Sequence, residues 1–236
     1  VSATPEESTM KKTIGIYIWQ DMTMLDALAP QQILAFVPDF DVVTVAKTMA
    51  PVMTDSKLRI LPEHDLESCP PLDILIVAGG IDPSTQMRDA AVMSWIVDTA
   101  GYAEYVTSVC TGSLILAEAG LLDGYRATTH WAYKPQLSTY PDIEVVDERV
   151  VRDGTRITAA GVTAGLDFGF KLVSELVGAD AAAALQLMGE YDPSPGTGSG
   201  NPDTAGAELV TAVRAQFEAL APGLSEYLAA KARAAA

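Results

Sequence analysis

Two residues of this chain stand where the local pattern gives a side chain chemical work. Cys110 ends the run Tyr105-Val106-Thr107-Ser108-Val109 and is followed by Thr111-Gly112-Ser113, after which Leu114, Leu116, Ala117 and Leu121 recur at helical spacing. Strand, one-residue corner and helix is the logic of a nucleophile elbow, although Ser108 stands where many elbows have their first glycine. The helix aims its N-terminal amides and positive dipole end at the sulfur, which is expected to favour the thiolate. Asp26 is the second residue. It lies within Met24-Leu25-Asp26-Ala27-Leu28, where a carboxylate must be paired, protonated or facing a cleft, or else sits at a helix start.

Other positions have a weaker frame. Gly79-Gly80 closes the apolar run 72–78 and can turn a backbone N–H toward developing negative charge, but a glycine pair also ends strands for purely conformational reasons. His130, followed by Trp131, is either a base or a hydrogen-bonded structural group. His64, between Glu63 and Asp65, is expected in solvent, and Cys69 before Pro70-Pro71 has no activating context. No spacing of His, Cys and acidic residues matches a zinc or iron site, so no metal is expected.

The elements that must position these residues alternate along the chain. Short apolar, β-branched runs predict strands over 13–18, 42–46, 72–78 and 105–109, with weaker ones over 58–61 and 126–129. Residues 150–158 read as a hairpin around Asp153-Gly154. Helices are expected over 24–36, 90–100, 113–122, 164–177 and 179–191, and over 205–230 with a break at Pro222-Gly223. Pro30 must then lie in the first turn of its helix or break it. Residues 192–206, rich in Pro, Gly and Ser, form a loop. The order predicts an α/β sandwich with a mostly parallel central sheet, helices on both faces, an added β-hairpin and function at the carboxyl ends of the strands. Residues 1–12 are expected to be a flexible lead and 13–236 a single domain, with a helical C-terminal extension from about residue 204.

Composition narrows the classes. A chain of 236 residues with 49% hydrophobic side chains can bury a large core, which excludes disorder as its main state. The formal net charge of −16, with no basic stripe, repels nucleic acid and anionic membrane surfaces. No signal for export or membrane spanning is visible. Two cysteines make no disulfide framework, and a reducing, cytoplasmic setting is expected.

The corner 105–113, Ala127-Thr128-Thr129-His130-Trp131, Ala78-Gly79-Gly80 and Leu25-Asp26 together resemble the DJ-1/PfpI superfamily, which has a flavodoxin-like, glutamine amidotransferase-like fold. The similarity extends over about residues 13–203, including 148–154, 163–168 and 201–204, and is nearest to the isocyanide hydratase (isonitrile hydratase) branch. The resemblance implies that Cys110 is the nucleophile and that Asp26 takes the place of an acid, usually Glu, hydrogen-bonded to the sulfur. Asp there is a feature of the hydratase branch. Thr111 stands where peptidase-like and amidotransferase-like relatives have His, which counts against those activities. It further implies that the Gly80 and Thr111 amides stabilise negative charge, that Thr111 orients the intermediate and that His130 is an accessory residue.

The activity so implied is hydration of an isocyanide, R–NC, to the formamide R–NH–CHO by a homodimer that needs no cofactor. Alternatives are a glyoxalase-like or deglycase-like reaction and a cysteine-based redox or ligand sensor. This fold also serves AraC-type regulators, but only about 30 residues follow Asn201-Pro202-Asp203, against the ~100 of a paired helix-turn-helix domain.

Overall fold

A computed structural model describes residues 11–234. The lead expected over 1–12 lies mostly outside the described residues, and Lys12 already pairs in the first strand. In chain order the elements are β1 (Lys12–Tyr17), α1 (Met24–Leu34), β2 (Phe40–Ala46), β3 (Val52–Met53), β4 (Arg59–Ile60), β5 (His64–Asp65) and β6 (Ile74–Val77). There follow α2 (Ser84–Met87), α3 (Ala90–Ala100), β7 (Tyr105–Val109), α4 (Gly112–Glu118), β8 (Arg126–Ala127), α5 (Lys134–Leu137) and β9 (Glu144–Val145). The last are β10 (Val150–Asp153), β11 (Arg156–Ala159), α6 (Ala164–Leu176), α7 (Ala179–Met188), α8 (Pro202–Ala205), α9 (Ala207–Leu220) and α10 (Pro222–Ala234).

Seven strands form the main sheet in the order β10-β11-β7-β6-β1-β2-β5. Every neighbouring pair is parallel except the β10–β11 hairpin. All four residues of β6 are buried, as a strand covered on both faces requires. This is the α/β architecture expected from the sequence. From β1 the order runs outward through β2 and β5, and from β6 it runs the other way through β7 and β11. The segments leaving β1, β6 and β7 therefore converge at the point where the order reverses, the usual place for a site in such sheets.

Local departures have identifiable causes. The strands expected over 58–61 and 126–129 shrink to β4 and β8, which pair with β3 and β9 in small separate sheets. The helix expected over 113–122 ends at Glu118, before Gly120 with φ 70°. Pro30 lies neither in the first turn nor at a break: α1 runs through it to Leu34. Proline removes the bond to the Asp26 carbonyl, and packing against α6 outweighs that loss. His64, expected in solvent, is a half-buried residue of the edge strand β5.

The C-terminal helices dock on the rest of the chain. The Arg88 guanidinium donates to the Gly223 carbonyl at 2.9 Å, the Gly223 N–H donates to Asp82 at 2.9 Å, and Ala221 and Leu224 join the buried core.

Helix α1, which carries Asp26, is held by α6 at closest approach. A Cβ at Gly169 would lie 2.9 Å from the Ile33 Cβ, and one at Gly165 would lie 3.1 Å from the Ala29 Cβ. Gly169→Val is expected to push the helices apart and lower stability by about 1–3 kcal/mol, read as an earlier urea midpoint. Gly196→Ala, with nothing within 4 Å, is expected to stay within about 0.5 kcal/mol of wild type.

Candidate active site

The corner after β7 is strained and pinned. Cys110 has φ 57°, a left-handed conformation that costs a residue with a Cβ of order 1–3 kcal/mol. Its N–H donates to the Ala159 and Ala160 carbonyls at 3.0 and 3.1 Å. Its carbonyl accepts from the Ser113 hydroxyl at 2.9 Å and the Thr129 hydroxyl at 3.1 Å. These bonds hold the backbone in a conformation it would not choose alone. Gly112 fits beneath the corner because it has no side chain: a Cβ there would overlap the Val77 carbonyl.

The chain after β6 presses against this corner. A Cβ at Gly79 would lie 2.5 Å from the Thr111 nitrogen, 2.8 Å from the Val109 oxygen and 2.9 Å from Asp26 Oδ2, so only glycine lets the three segments meet. The Thr23 N–H donates to the Gly79 carbonyl at 3.0 Å, and Met22 bridges to Gly80, tying the start of α1 to the same loop. The structure thus brings Cys110, Asp26, Thr111, Gly79 and Gly80 together.

The polar contacts differ from the expectation at two positions. The Gly80 N–H donates to Thr111 Oγ1 at 2.8 Å, and the Thr111 hydroxyl donates to the Gly80 carbonyl at 2.5 Å. That amide and hydroxyl satisfy each other's residue, so Gly80 does not present a free donor to the sulfur. The backbone N–H groups facing Cys110 are those of Thr111 and Val162. Val162 was not legible as a site residue. It follows Gly161 at the entry to α6, with φ 41°.

Electrostatics also bear on the thiolate that the helix dipole favours. Burial pushes the Cys110 thiol well above its ordinary value, the Asp26 charge pushes it further, and the Thr111 and Val162 amides only oppose this. Asp26 is fully buried, and neither carboxyl oxygen has a partner in good hydrogen-bond geometry. Burial therefore raises it to about 8, with Asp55 adding to the rise, while weaker contacts with the Cys110 thiol and the Gly79 amide lower it. Asp26 thus keeps its proton at neutral pH, and burial resists a charge on the thiol beside it.

His130 is 8% exposed, and burial lowers it to about 4, so it is neutral. Its Nδ1 accepts the Ala132 N–H at 3.2 Å, which leaves the proton on Nε2. Phe217 of α9 packs on the ring at 4.9 Å, and Arg214 donates to the Ala132 carbonyl at 3.1 Å and lies over Trp131. Among the described residues no hydrogen bond joins His130 to Cys110 or Asp26. Cys69 is half-buried, and burial raises its thiol to about 11.

A cavity of about 570 Å³ opens beside the corner, bordered by Thr129, His130, Trp131, Gly161 and Val162 and also lined by Asn201 and Pro202 at the start of α8. The walls also include Lys134, Asp147, Glu148, Arg149 and Asp203. Cys110 lies behind this wall, 4% exposed. Among the described residues no group of three or more His, Cys, Asp or Glu could hold a metal ion, and no helix is long and apolar enough to cross a membrane.

An α/β sheet with a cysteine on a strained strand-to-helix corner and a buried acid at its reversal point defines a class, and the chain belongs to the DJ-1/PfpI family, matched over residues 12–175. Among curated relatives it is 45% identical over 205 residues to the isonitrile hydratase of Pseudomonas putida, covering 87% of this chain and 90% of that one. It is 35% identical over 147 residues to the HTH-type transcriptional regulator CdhR of Pseudomonas aeruginosa, covering 61% of this chain but 44% of the regulator. The crystal structure of a ThiJ/PfpI family protein from Pseudomonas syringae superposes with a TM-score of 0.86 at 37% identity, covering 94% of this chain and 96% of that one.

The Asp26 assignment has a thermodynamic consequence. Between the ordinary carboxyl value of 3.8 and about 8, the folded chain keeps a proton that the unfolded chain has released. Stability from this group is therefore full below pH 4 and lost as pH rises through about 8. Asp26→Asn cannot ionise, so the melting temperature of wild type is expected to fall relative to the variant across that window. Parallel pH profiles would contradict a protonated Asp26.

Proposed function

We propose that the chain hydrates isocyanides to N-substituted formamides, with Cys110 as nucleophile, Asp26 as the proton-transfer group and no cofactor. The observation that carries this reading is the protonated carboxyl buried beside the thiol with no histidine bonded to either. An isocyanide needs both a nucleophile and a proton at one carbon, and this pair supplies them without a base that must first be charged. The 45% identity to an isonitrile hydratase over nearly the whole of both chains supports it.

The steps balance as follows. Sulfur bonds to the terminal carbon of R–NC while that carbon takes a proton from Asp26, and Asp26 receives the thiol proton. The net change is addition of S–H at carbon, giving the thioimidate R–N=CH–S–Cys110. Asp26 gives up one proton and receives another, so it ends the exchange as the neutral acid, the form burial favours. Water then adds to the same carbon, losing one proton to Asp26 as nitrogen gains one, and collapse expels the thiol and leaves R–NH–CHO. The Thr111 and Val162 amides face the sulfur and support negative charge on it. Thr111 holds Gly80, and through it the loop that fits against the corner.

The cavity beside the corner would hold the R group, with His130 as an accessory, neutral wall residue. We further propose one folding unit from residue 13 that includes the docked C-terminal helices. A homodimer is also proposed, with Leu187 and Met188 at the end of α7 as exposed apolar surface. The free thiols fit the reducing cytoplasm.

Purified protein mixed with cyclohexyl isocyanide is expected to release N-cyclohexylformamide. Cys110→Ala is expected to reduce turnover to background, and Asp26→Asn to lower kcat by about 10²–10⁴. Turnover unaffected by loss of Cys110, or conversion of methylglyoxal but of no isocyanide, would overturn the reading.

A further inference from the structure

We propose that Asp55, delivered by the β3–β4 hairpin, is a positioning residue for Asp26: it caps the first turn of α1 and places a second negative charge beside the buried carboxyl. The hairpin lies outside the main sheet, and its turn is tightened by Thr54, whose N–H donates to the Leu58 carbonyl at 2.9 Å and whose Oγ1 accepts the Leu58 N–H at 3.1 Å. Lys57 completes the turn with φ 68°. From there the Asp55 N–H donates to the Met22 carbonyl at 2.9 Å, and its Oδ1 accepts the Met24 N–H at 3.1 Å.

Helix α1 needs such a partner. Thr23, at its N-cap, makes no side-chain capping bond, so the first-turn amide of Met24 is satisfied from another part of the chain. Both bonds grip residues 22–24, immediately before Asp26. The contact thus fixes the turn from which the carboxyl enters the site.

The charge acts in the same place. Asp55 is half-buried, and its carboxylate disfavours a second negative charge on Asp26. The groups that act on Asp26 are Cys110 on the corner after β7, Asp55 on the hairpin and the uncharged Gly79 of the loop after β6, while α6 meets α1 through Gly165 and Gly169, against Ala29, Pro30 and Ile33. Asp21 and Lys57, in the adjoining turns, are exposed. Asp55 is therefore the carboxylate that helps Asp26 keep its proton.

The role deepens the proposed reaction and rests on Asp26 as its proton donor, but a titration tests it without substrate. The Asp26 carboxyl, assigned by loss of its ¹³C resonance in Asp26→Asn, is expected to titrate near pH 8 in wild type and lower in Asp55→Asn, which keeps an oxygen acceptor for the Met24 N–H but no charge. A shift of one pH unit would lower the protonated fraction at pH 8 about fivefold. The basic limb of kcat/KM for cyclohexyl isocyanide is expected to move with it, with KM unchanged because Asp55 does not line the cavity. Asp55→Glu is expected to restore the wild-type titration. If Asp55→Asn fails to fold, wild type in about 1 M salt provides the second reading, since screening should move the titration in the same direction. An unchanged Asp26 titration in the variant, or in salt where the variant is unfolded, would overturn the proposal. Absence of isocyanide turnover with a shifted titration would overturn the proposed function and leave the Asp55 role standing.

Discussion

Burying a carboxyl against a thiol, with no cation acting on either among the described residues, is the constraint on which the rest of the site depends. In water each group would ionise at its own pH. Here a charge on one raises the cost of a charge on the other, and the low-polarity surroundings raise the cost of both. The resting pair accordingly keeps a proton on Asp26. In the proposed reaction that is an advantage, because an isocyanide carbon must acquire sulfur and hydrogen together, and a permanent thiolate would supply only one of them.

The scaffold keeps this unfavourable pairing in place by satisfying everything around it. Cys110 keeps a left-handed backbone because both its amide and its carbonyl are bonded to neighbouring segments. Thr111 ties Gly80, Gly79 accepts from Thr23, and the glycine loop admits no side chain between the corner and the acid. The reversal of strand order brings the three connections to one end of the sheet. Both Asp26 oxygens are left without partners, as the hydroxyls of Ser108 and Thr128 also are, and a carboxyl so placed is available to the reacting molecule.

What could be read from the sequence followed the range of the interactions. Cys110 was legible because a strand, a corner and a helix are contiguous, and Asp26 because a charge in an apolar run is conspicuous in one dimension. The parallel sheet followed from alternating runs. Val162 and Asp55 were not legible, since one acts through a backbone N–H that any residue has and the other reaches α1 across 31 positions of chain to Met24. The helix dipole that favours the thiolate is a local inference, whereas the burial that opposes it is set by the whole fold. Gly80 misled for a similar reason: its amide was identifiable as a donor, but its acceptor, the Thr111 hydroxyl, became visible only in three dimensions. The C-terminal region was legible as helical with no indication of a partner, and the docking of Phe217 and Arg214 around His130 and Trp131 supplied it.

The account stands or falls on a covalent bond between substrate carbon and Cys110. Rapid acid quench of protein with excess cyclohexyl isocyanide, followed by peptide mass mapping, tests it most directly. The account predicts a species heavier than the free protein by the mass of one intact isocyanide, located on the peptide that contains Cys110 and absent in Cys110→Ala. Formamide release at full rate with no adduct at any quench time, or an adduct confined to Cys69, would contradict it.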